Sequence, residues 1–116
     1  MALGLPSLLI TTTGRTSGQP RTNPLLYARD GDALVVIGSN WGQAHHPGWS
    51  ANLLADPHAT VALRGERFAV RARLAEGAER ERLRALLLEV WPGYAAYERR
   101  AEGRQLRIFR LEREPD

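Results

Sequence analysis

A segment near the N-terminus combines the residue types that proteins use to bind anions. Gly14 and Gly18 leave backbone amides open to a ligand, and the side chains of Arg15, Ser17 and Arg21 can donate hydrogen bonds to anionic oxygens. The segment lacks the terminal Gly-Lys-Ser/Thr of a Walker A motif. Residues 14–21 therefore predict a phosphate-binding loop. A plain polar hairpin loop is the alternative, because glycine, serine and proline are common in turns.

A second segment suited to ligand binding is residues 38–42, Gly-Ser-Asn-Trp-Gly, which leaves an apolar run and leads to a helix start near Pro47. Backbone amides at a helix N-terminus favour negative charge or a polarised carbonyl. Trp41 or Trp49 could stack on a flat ring system. Trp49 has an alternative role in the core, because it lies four residues before Leu53 on one face of the predicted helix.

Two tyrosines could act on a substrate. Tyr94 and Tyr97 are three residues apart and share a face if their segment is helical. Phenol hydroxyls at the mouth of a pocket can bind or protonate a substrate. The alternative is that the rings pack in the core and the hydroxyls reach water.

The sequence offers little support for a metal site or a nucleic-acid interface. His45 and His46 are adjacent and cannot easily converge on one ion, and His58 has no acidic partner at a known metal-motif spacing. The charged run at residues 79–82 is typical of a solvated helix face. We expect no bound metal and no nucleic-acid partner.

Composition narrows the classes of function further. The 116 residues are 43% hydrophobic and 25% charged, as is usual for one folded domain, which we place at 1–116. The absence of cysteine excludes disulfides and thiolate nucleophiles. All 16 basic residues are arginine, so Schiff-base chemistry on lysine is also excluded. There is no signal peptide or transmembrane segment in the pattern, so a cytoplasmic location is expected.

The elements that must position these residues are mostly strands joined as hairpins. The predicted strands are Ser7–Thr13, Thr22–Arg29, Asp32–Gly38, His58–Arg64, Arg67–Ala75 and Gln105–Glu112. The predicted helices are Pro47–Ala55, Ala78–Trp91 and Tyr94–Ala101, the last being the weakest. Short consecutive strands with few crossover helices predict a mainly β (α+β) fold, in which six antiparallel strands form a barrel with two or three flanking helices.

Four ordered blocks of this sequence resemble the deazaflavin (F420)-dependent nitroreductase family of the split β-barrel flavin/deazaflavin oxidoreductases. The blocks are LLITTTGRTSGQPRTNPLLY, DALVVIGSNWG, HHPGWSANLLADPHATV and WPGYAAY. The resemblance implies a split β-barrel and F420 as the cofactor. It also implies hydride transfer to a small-molecule electron acceptor such as a quinone, a nitroaromatic compound or an enone.

The resemblance also implies residue roles. It assigns the grip on the cofactor's anionic tail to Gly14, Arg15, Thr16, Ser17, Gly18 and Arg21, with Pro24 and Leu25 as a wall. It assigns the segment along the deazaflavin ring to Ser39, Asn40, Trp41 and Gly42, with Pro47 and Trp49 closing that pocket. Ser39, Tyr94 and Tyr97 are the residues expected to polarise or protonate the acceptor.

Three other functions stay open at this point. An FMN-binding split-barrel oxidoreductase would use the same architecture and phosphate loop. A non-catalytic carrier of F420 or a tetrapyrrole would bind without turnover. A small basic nucleic-acid-binding barrel ranks last and predicts steeply salt-dependent binding. The sequence also leaves open a homodimer in which a partner chain completes the pocket.

Overall fold

The computed structural model describes residues 6–38, 47–100 and 105–115. Within these residues, seven strands form one antiparallel sheet in the order β2-β1-β5-β6-β7-β4-β3, and three helices accompany it. The strands are β1 (Ser7–Thr13), β2 (Pro20–Leu26), β3 (Ala28–Asp30), β4 (Ala33–Ile37), β5 (His58–Leu63), β6 (Glu66–Leu74) and β7 (Ile108–Arg113). The helices are α1 (Gly48–Ala55), α2 (Gly77–Val90) and α3 (Tyr94–Arg100). The predicted mainly β fold is confirmed, and the sheet curls into a half-barrel.

The predicted number of six strands is wrong, because the segment expected as one strand over Thr22–Arg29 forms parts of two. The chain breaks at Tyr27, which is buried and donates its backbone N–H to the carbonyl of Pro6 at 3.3 Å. Before this residue β2 pairs with β1, and after it β3 pairs with β4. The two consecutive strands thus lie at opposite ends of the strand order. An apolar run indicates a strand but does not show which neighbour it pairs with.

The part of the sheet around β4 is buried on both faces, by two separate apolar clusters. Leu34 and Val36 of β4 belong to the cluster inside the curl, together with Trp49 and Leu53 of α1. The alternate residues of β4, Val35 and Ile37, belong to an outer cluster with α2 and α3. Successive side chains of a strand point to opposite faces, so a strand buried on both sides is a continuous apolar run, as residues 33–37 are.

An ion-pair cluster joins α2 to the sheet. The Asp30 carboxylate accepts hydrogen bonds from Arg82 of α2 at 2.8 and 3.1 Å and from Arg110 of β7 at 2.9 Å. The two guanidinium groups lower the pKa of Asp30 to about 2. This carboxylate therefore stays charged and holds the helix against the end of β3.

No helix in the part of the chain that the structure describes is long and apolar enough to cross a membrane.

Candidate functional site

The predicted anion-binding segment forms the compact connection between β1 and β2. The backbone N–H of Gly14 donates to the carbonyl of Gln19 at 2.8 Å, and the N–H of Gly18 donates to the carbonyl of Gly14 at 2.8 Å. The Ser17 hydroxyl oxygen accepts the N–H of Gln19 at 3.1 Å. We call residues 14–19 the cradle loop.

The two glycines of this loop are needed for different reasons. Gly18 has a φ of 72°, in the left-handed region that side chains disfavour, and nothing lies within 4 Å of where its Cβ would be. Gly14 is limited by space instead. A Cβ there would lie 2.6 Å from the Ser17 hydroxyl and 3.1 Å from the Gln19 carbonyl oxygen. The loop therefore depends on glycine at both positions.

Arg15 is fastened to the start of α1. Its backbone N–H donates to Asn52 Oδ1 at 3.1 Å, and its Nη1 donates to the same oxygen at 3.0 Å. Nη1 also lies 3.4 Å from the carbonyl oxygen of Gly48. The residue is otherwise exposed, so the guanidinium is held at one edge while its remaining N–H groups face outward.

Sequence reasoning missed Asn52. It lies on α1, is only 4% exposed, and donates from Nδ2 to the Thr12 hydroxyl at 3.0 Å. The available signal was a polar amide three residues after Trp49 and directly before Leu53, on the helix stretch expected to face the core. A buried asparagine usually has defined partners, and here they are Thr12 and Arg15.

The cradle loop and α1 border an open groove of about 750 Å³. Its lining residues are Gly14, Arg15, Thr16, Ser17, Pro20, Arg21, Thr22, Asn23, Gly48, Trp49 and Asn52. Arg21 lies opposite Thr12 in the β1–β2 register, so the two side chains share the face of the sheet that α1 covers. Neither Arg15 nor Arg21 makes an ion pair within the described residues, and no carboxylate lines the groove.

A second groove, of about 700 Å³, lies beside the β3–β4 turn and β7, and differs in its charges. Its arginines are Arg29, Arg110 and Arg113, and carboxylates from Asp32, Glu112 and Glu114 lie among them. None of the residues singled out in the sequence lines it. An anion would meet less net positive charge here than beside the cradle loop, so the first groove is the better candidate.

The structure brings most of the predicted tail-binding residues together. Gly14, Arg15, Thr16, Ser17 and Arg21 all line the groove, and Gly18 lies in the same loop.

The remaining residues assigned to the cofactor are more scattered. Leu25 packs against the inner cluster, whereas Pro24 pairs with the outward-facing Leu9 and is exposed on the other face. Pro47 precedes α1 and lies against Gly38. Ser39, Asn40, Trp41 and Gly42 lie outside the described residues, as do His45 and His46.

Trp49 has two kinds of contact. It is 6% exposed, and its ring lies 5.9 Å from the ring of Phe109, centroid to centroid, in the inner cluster. The residue also borders the groove. Its position therefore combines packing in the core with a place at the edge of the groove.

Tyr94 and Tyr97 do not line the groove. They are 5% and 9% exposed and belong to the outer cluster, where each ring centroid lies 5.2 Å from that of Trp91. Burial raises the pKa of Tyr94 well above its usual value. The phenol therefore stays protonated at neutral pH and is a hydrogen-bond donor, not a phenolate base.

Among the described residues, no group of three or more His, Cys, Asp or Glu side chains could hold a metal ion. His58 instead pairs with Glu114, with 2.7 Å between Nδ1 and Oε1.

A family model described as F420H(2)-dependent quinone reductase matches residues 1–113 of this chain. The F420H(2)-dependent quinone reductase Rv1261c of Mycobacterium tuberculosis is 47% identical over 68 residues. That match covers 59% of this chain and 46% of the relative, so the chain matches about half the length of the relative.

Two solved structures are similar over most of the chain. One is described as an F420-H2 dependent reductase (FDR-A), with a TM-score of 0.84 and 33% identity over 92% of this chain and 94% of that one. Another is described as a domain-swapped dimer, with a TM-score of 0.85 and 33% identity over 97% of this chain and 84% of that one.

Proposed function

Because this chain belongs to the F420H(2)-dependent quinone reductase family, we propose that it binds F420 and uses the reduced cofactor to convert a quinone-type acceptor to its hydroquinone. The family membership confirms the resemblance drawn from the four sequence blocks. When bound, the reduced deazaflavin supplies the hydride, and the protein supplies binding, orientation and proton donors. Nitroaromatic compounds and enones are further candidate acceptors.

The observation that carries the proposal is the carboxylate-free groove beside the cradle loop. Arg15 and Arg21 add two positive charges to it, and the Arg15 guanidinium is already held by Asn52. The volume of about 750 Å³ is typical of small-molecule sites. Phosphate and carboxylate oxygens of the cofactor tail fit these donors, which arginine can engage in bidentate pairs. We assign the tail to this groove.

In the proposed reaction, Ser39, Tyr94 and Tyr97 are the residues that polarise or protonate the quinone acceptor. Reduction of a quinone by a hydride needs one proton as well, and oxygens that gain charge are stabilised by hydrogen-bond donors. The raised pKa of Tyr94 keeps its phenol in the donor form. The roles of the three residues, including that of Ser39, are supported by the family resemblance and are tested by substitution. The single domain over 1–116 and the cytoplasmic location also stay predictions.

The first experiment titrates the purified protein with F420 and, separately, with FMN in the same buffer and salt, following cofactor fluorescence. We expect tighter binding of F420, because its longer anionic tail uses both groove arginines. Arg21→Gln should weaken F420 binding about tenfold, the lower end of what one charged hydrogen bond contributes. It should also reduce the salt dependence of binding.

A matched control is Arg67→Gln, which removes an exposed arginine of β6 that lies outside the groove. This variant should bind F420 as the unchanged protein does. Preference for FMN would assign the protein to the FMN-binding split-barrel oxidoreductases. Binding of F420 without turnover of any acceptor would favour a non-catalytic cofactor carrier. Either result would overturn the proposal.

We also propose that the chain forms a homodimer through the outer face of β2, β1 and β5. His58, at one end of β5, is an ionisable outward residue there and pairs with Glu114. The other outward residues are uncharged and include Leu9, Thr11, Thr13, Thr22, Pro24, Thr60 and Ala62. Helices α2 and α3 lie over β3, β4 and β7 instead, and Leu9 is 46% exposed. The similar structure described as a domain-swapped dimer supports self-association.

Sedimentation velocity tests this assembly. The protein should sediment as a dimer and Leu9→Arg as a monomer, whereas Leu54→Arg, at an exposed position of α1, should stay dimeric. A monomeric parent protein would refute the homodimer, and a Leu9→Arg dimer would refute this face.

A further inference from the structure

The side chain of Asn52 is only 4% exposed, and its carboxamide makes three hydrogen bonds within the protein. Its oxygen accepts two N–H groups of Arg15, from the backbone at 3.1 Å and from Nη1 at 3.0 Å. Its nitrogen donates to the Thr12 hydroxyl at 3.0 Å. Both lone pairs of the oxygen are occupied, so this atom has no capacity left for a ligand.

Thr12 is 1% exposed and lies at the inner face of β1, which places its hydroxyl next to the Asn52 amide. The amide can take only one orientation here. If it were flipped, its NH₂ group would face the two N–H donors of Arg15, and both hydrogen bonds from Arg15 would be lost. Thr12, Asn52 and Arg15 thus form a chain of contacts that runs from the core of the sheet to the edge of the groove.

The two groove arginines differ in how their side chains are held by other residues. The Arg15 guanidinium is held by Asn52 and by the Gly48 carbonyl, whereas the Arg21 side chain makes no hydrogen bond within the described residues. A mobile arginine side chain loses conformational entropy when it binds an anion. A side chain that is already held in place loses less conformational entropy. Arg15 is therefore the preorganised contact of the groove.

We propose that Asn52 is a positioning residue that, with Thr12, orders Arg15 for the anionic tail of the cofactor. This inference rests on the proposed function, because it concerns the same groove. Asn52 acts through Arg15 and not by its own contact with the tail. Loss of the carboxamide should therefore weaken cofactor binding about tenfold, as expected when one long side chain must be ordered on binding.

The decisive experiment is a double-mutant cycle on F420 affinity. Asn52→Ala and Arg15→Gln should each raise the dissociation constant, and Asn52→Ala should have no further effect once Arg15 is replaced. At saturating cofactor, kcat should be unchanged in Asn52→Ala while the KM for reduced F420 rises. Independent, multiplying effects of the two substitutions would mean that Asn52 contacts the cofactor itself, and would overturn the proposal.

Two further variants guard against a simple folding defect. Thr12→Val keeps the shape of the side chain but removes the acceptor for Asn52, and should reproduce part of the affinity loss while the protein stays folded by circular dichroism. Leu54→Ala is the control on α1, because its side chain is 47% exposed, and it should leave affinity unchanged. If Thr12→Val folds and binds F420 as tightly as the parent, Thr12 does not help Asn52 to position Arg15.

A readout without cofactor separates this inference from the proposed function. The ¹⁵N relaxation of the Arg15 Nε–H group, assigned with Arg15→Gln, should indicate a rigid side chain in the parent and a mobile one in Asn52→Ala. If the parent binds no F420 but this difference is present, the proposed function fails and the positioning by Asn52 stands. If Arg15 is equally mobile in both proteins, the positioning claim fails whatever the cofactor.

Discussion

Replacing Gly14 with alanine tests whether the cradle loop is held in one conformation by contacts within itself. The new Cβ would lie 2.6 Å from the Ser17 hydroxyl, a separation that real Cβ atoms essentially never show. Ser17 must then turn away, and its hydrogen bond from the Gln19 N–H is lost. That bond contributes about 1 kcal/mol. The Gln19 carbonyl, 3.1 Å from the same Cβ, must also shift by a few tenths of an ångström.

We therefore expect Gly14→Ala to lower the free energy of unfolding by about 1–2 kcal/mol, and Ser17→Ala to lower it by about 1 kcal/mol. The two substitutions remove the same hydrogen bond, which can be lost only once. Their combined cost should fall short of the sum of the single costs by about 1 kcal/mol. Urea unfolding of the parent, the two single variants and the double variant measures this directly.

The control pair combines Ser17→Ala with Gly65→Ala. Gly65 has a φ of 81° in the β5–β6 turn and has nothing within 4 Å of its Cβ position. Its replacement costs about 1–2 kcal/mol through backbone strain alone and should be additive with Ser17→Ala. Additive costs for Gly14→Ala and Ser17→Ala, to within about 0.3 kcal/mol, would refute the reasoning that the loop has one internally fixed conformation.

Three further predictions concern the scaffold and the acceptor site. Asp30→Asn should lower the free energy of unfolding by about 1–2 kcal/mol at pH 7, after allowance for the exposure of the arginine partners. Because the pKa of Asp30 is lowered from 3.8 to about 2, this difference is complete above about pH 5 and is lost as the pH falls through 2, which urea titrations at several pH values can follow. Leu83→Ala should cost about 2–5 kcal/mol in urea unfolding because Leu83 is fully buried, whereas Leu54→Ala should cost little; equal losses would contradict the two-cluster core. Tyr97→Phe should lower quinone turnover more than F420 binding in steady-state kinetics and titration, and an equal loss of both, or no loss, would count against its role in protonating the acceptor.

Local patterns in the sequence predicted the elements well. The bounds of β1 match the predicted Ser7–Thr13, and the alternation along Arg67–Ala75 is present in β6, where Val70 and Ala72 are buried and Arg71 is exposed. The apolar positions of α2, including Leu83 and Leu87, face the outer cluster as their spacing indicated. These features depend on neighbours in the chain, which a sequence pattern records directly.

The features that the sequence did not predict depend on contacts between distant residues. The break at Tyr27 occurs because β2 and β3 have partners at opposite ends of the strand order, and the local sequence is equally compatible with one strand. Asn52 is significant only because α1 brings it beside Thr12 and Arg15, which are 40 and 37 residues away. The anion-binding segment was recognisable because its chemistry and its turn residues are contiguous.

The position of β7 has a consequence for how the chain folds. This strand, which follows the other six described strands in the chain, pairs with both β6 and β4, so it lies inside the strand order and not at an edge. During synthesis, the strands from β1 to β6 leave the ribosome while the gap between β6 and β4 is still open. Pairings between residues so far apart in sequence are slow to form, and an unpaired edge invites association with another chain. The nascent protein therefore exposes two unpaired strand edges until residues 108–113 arrive.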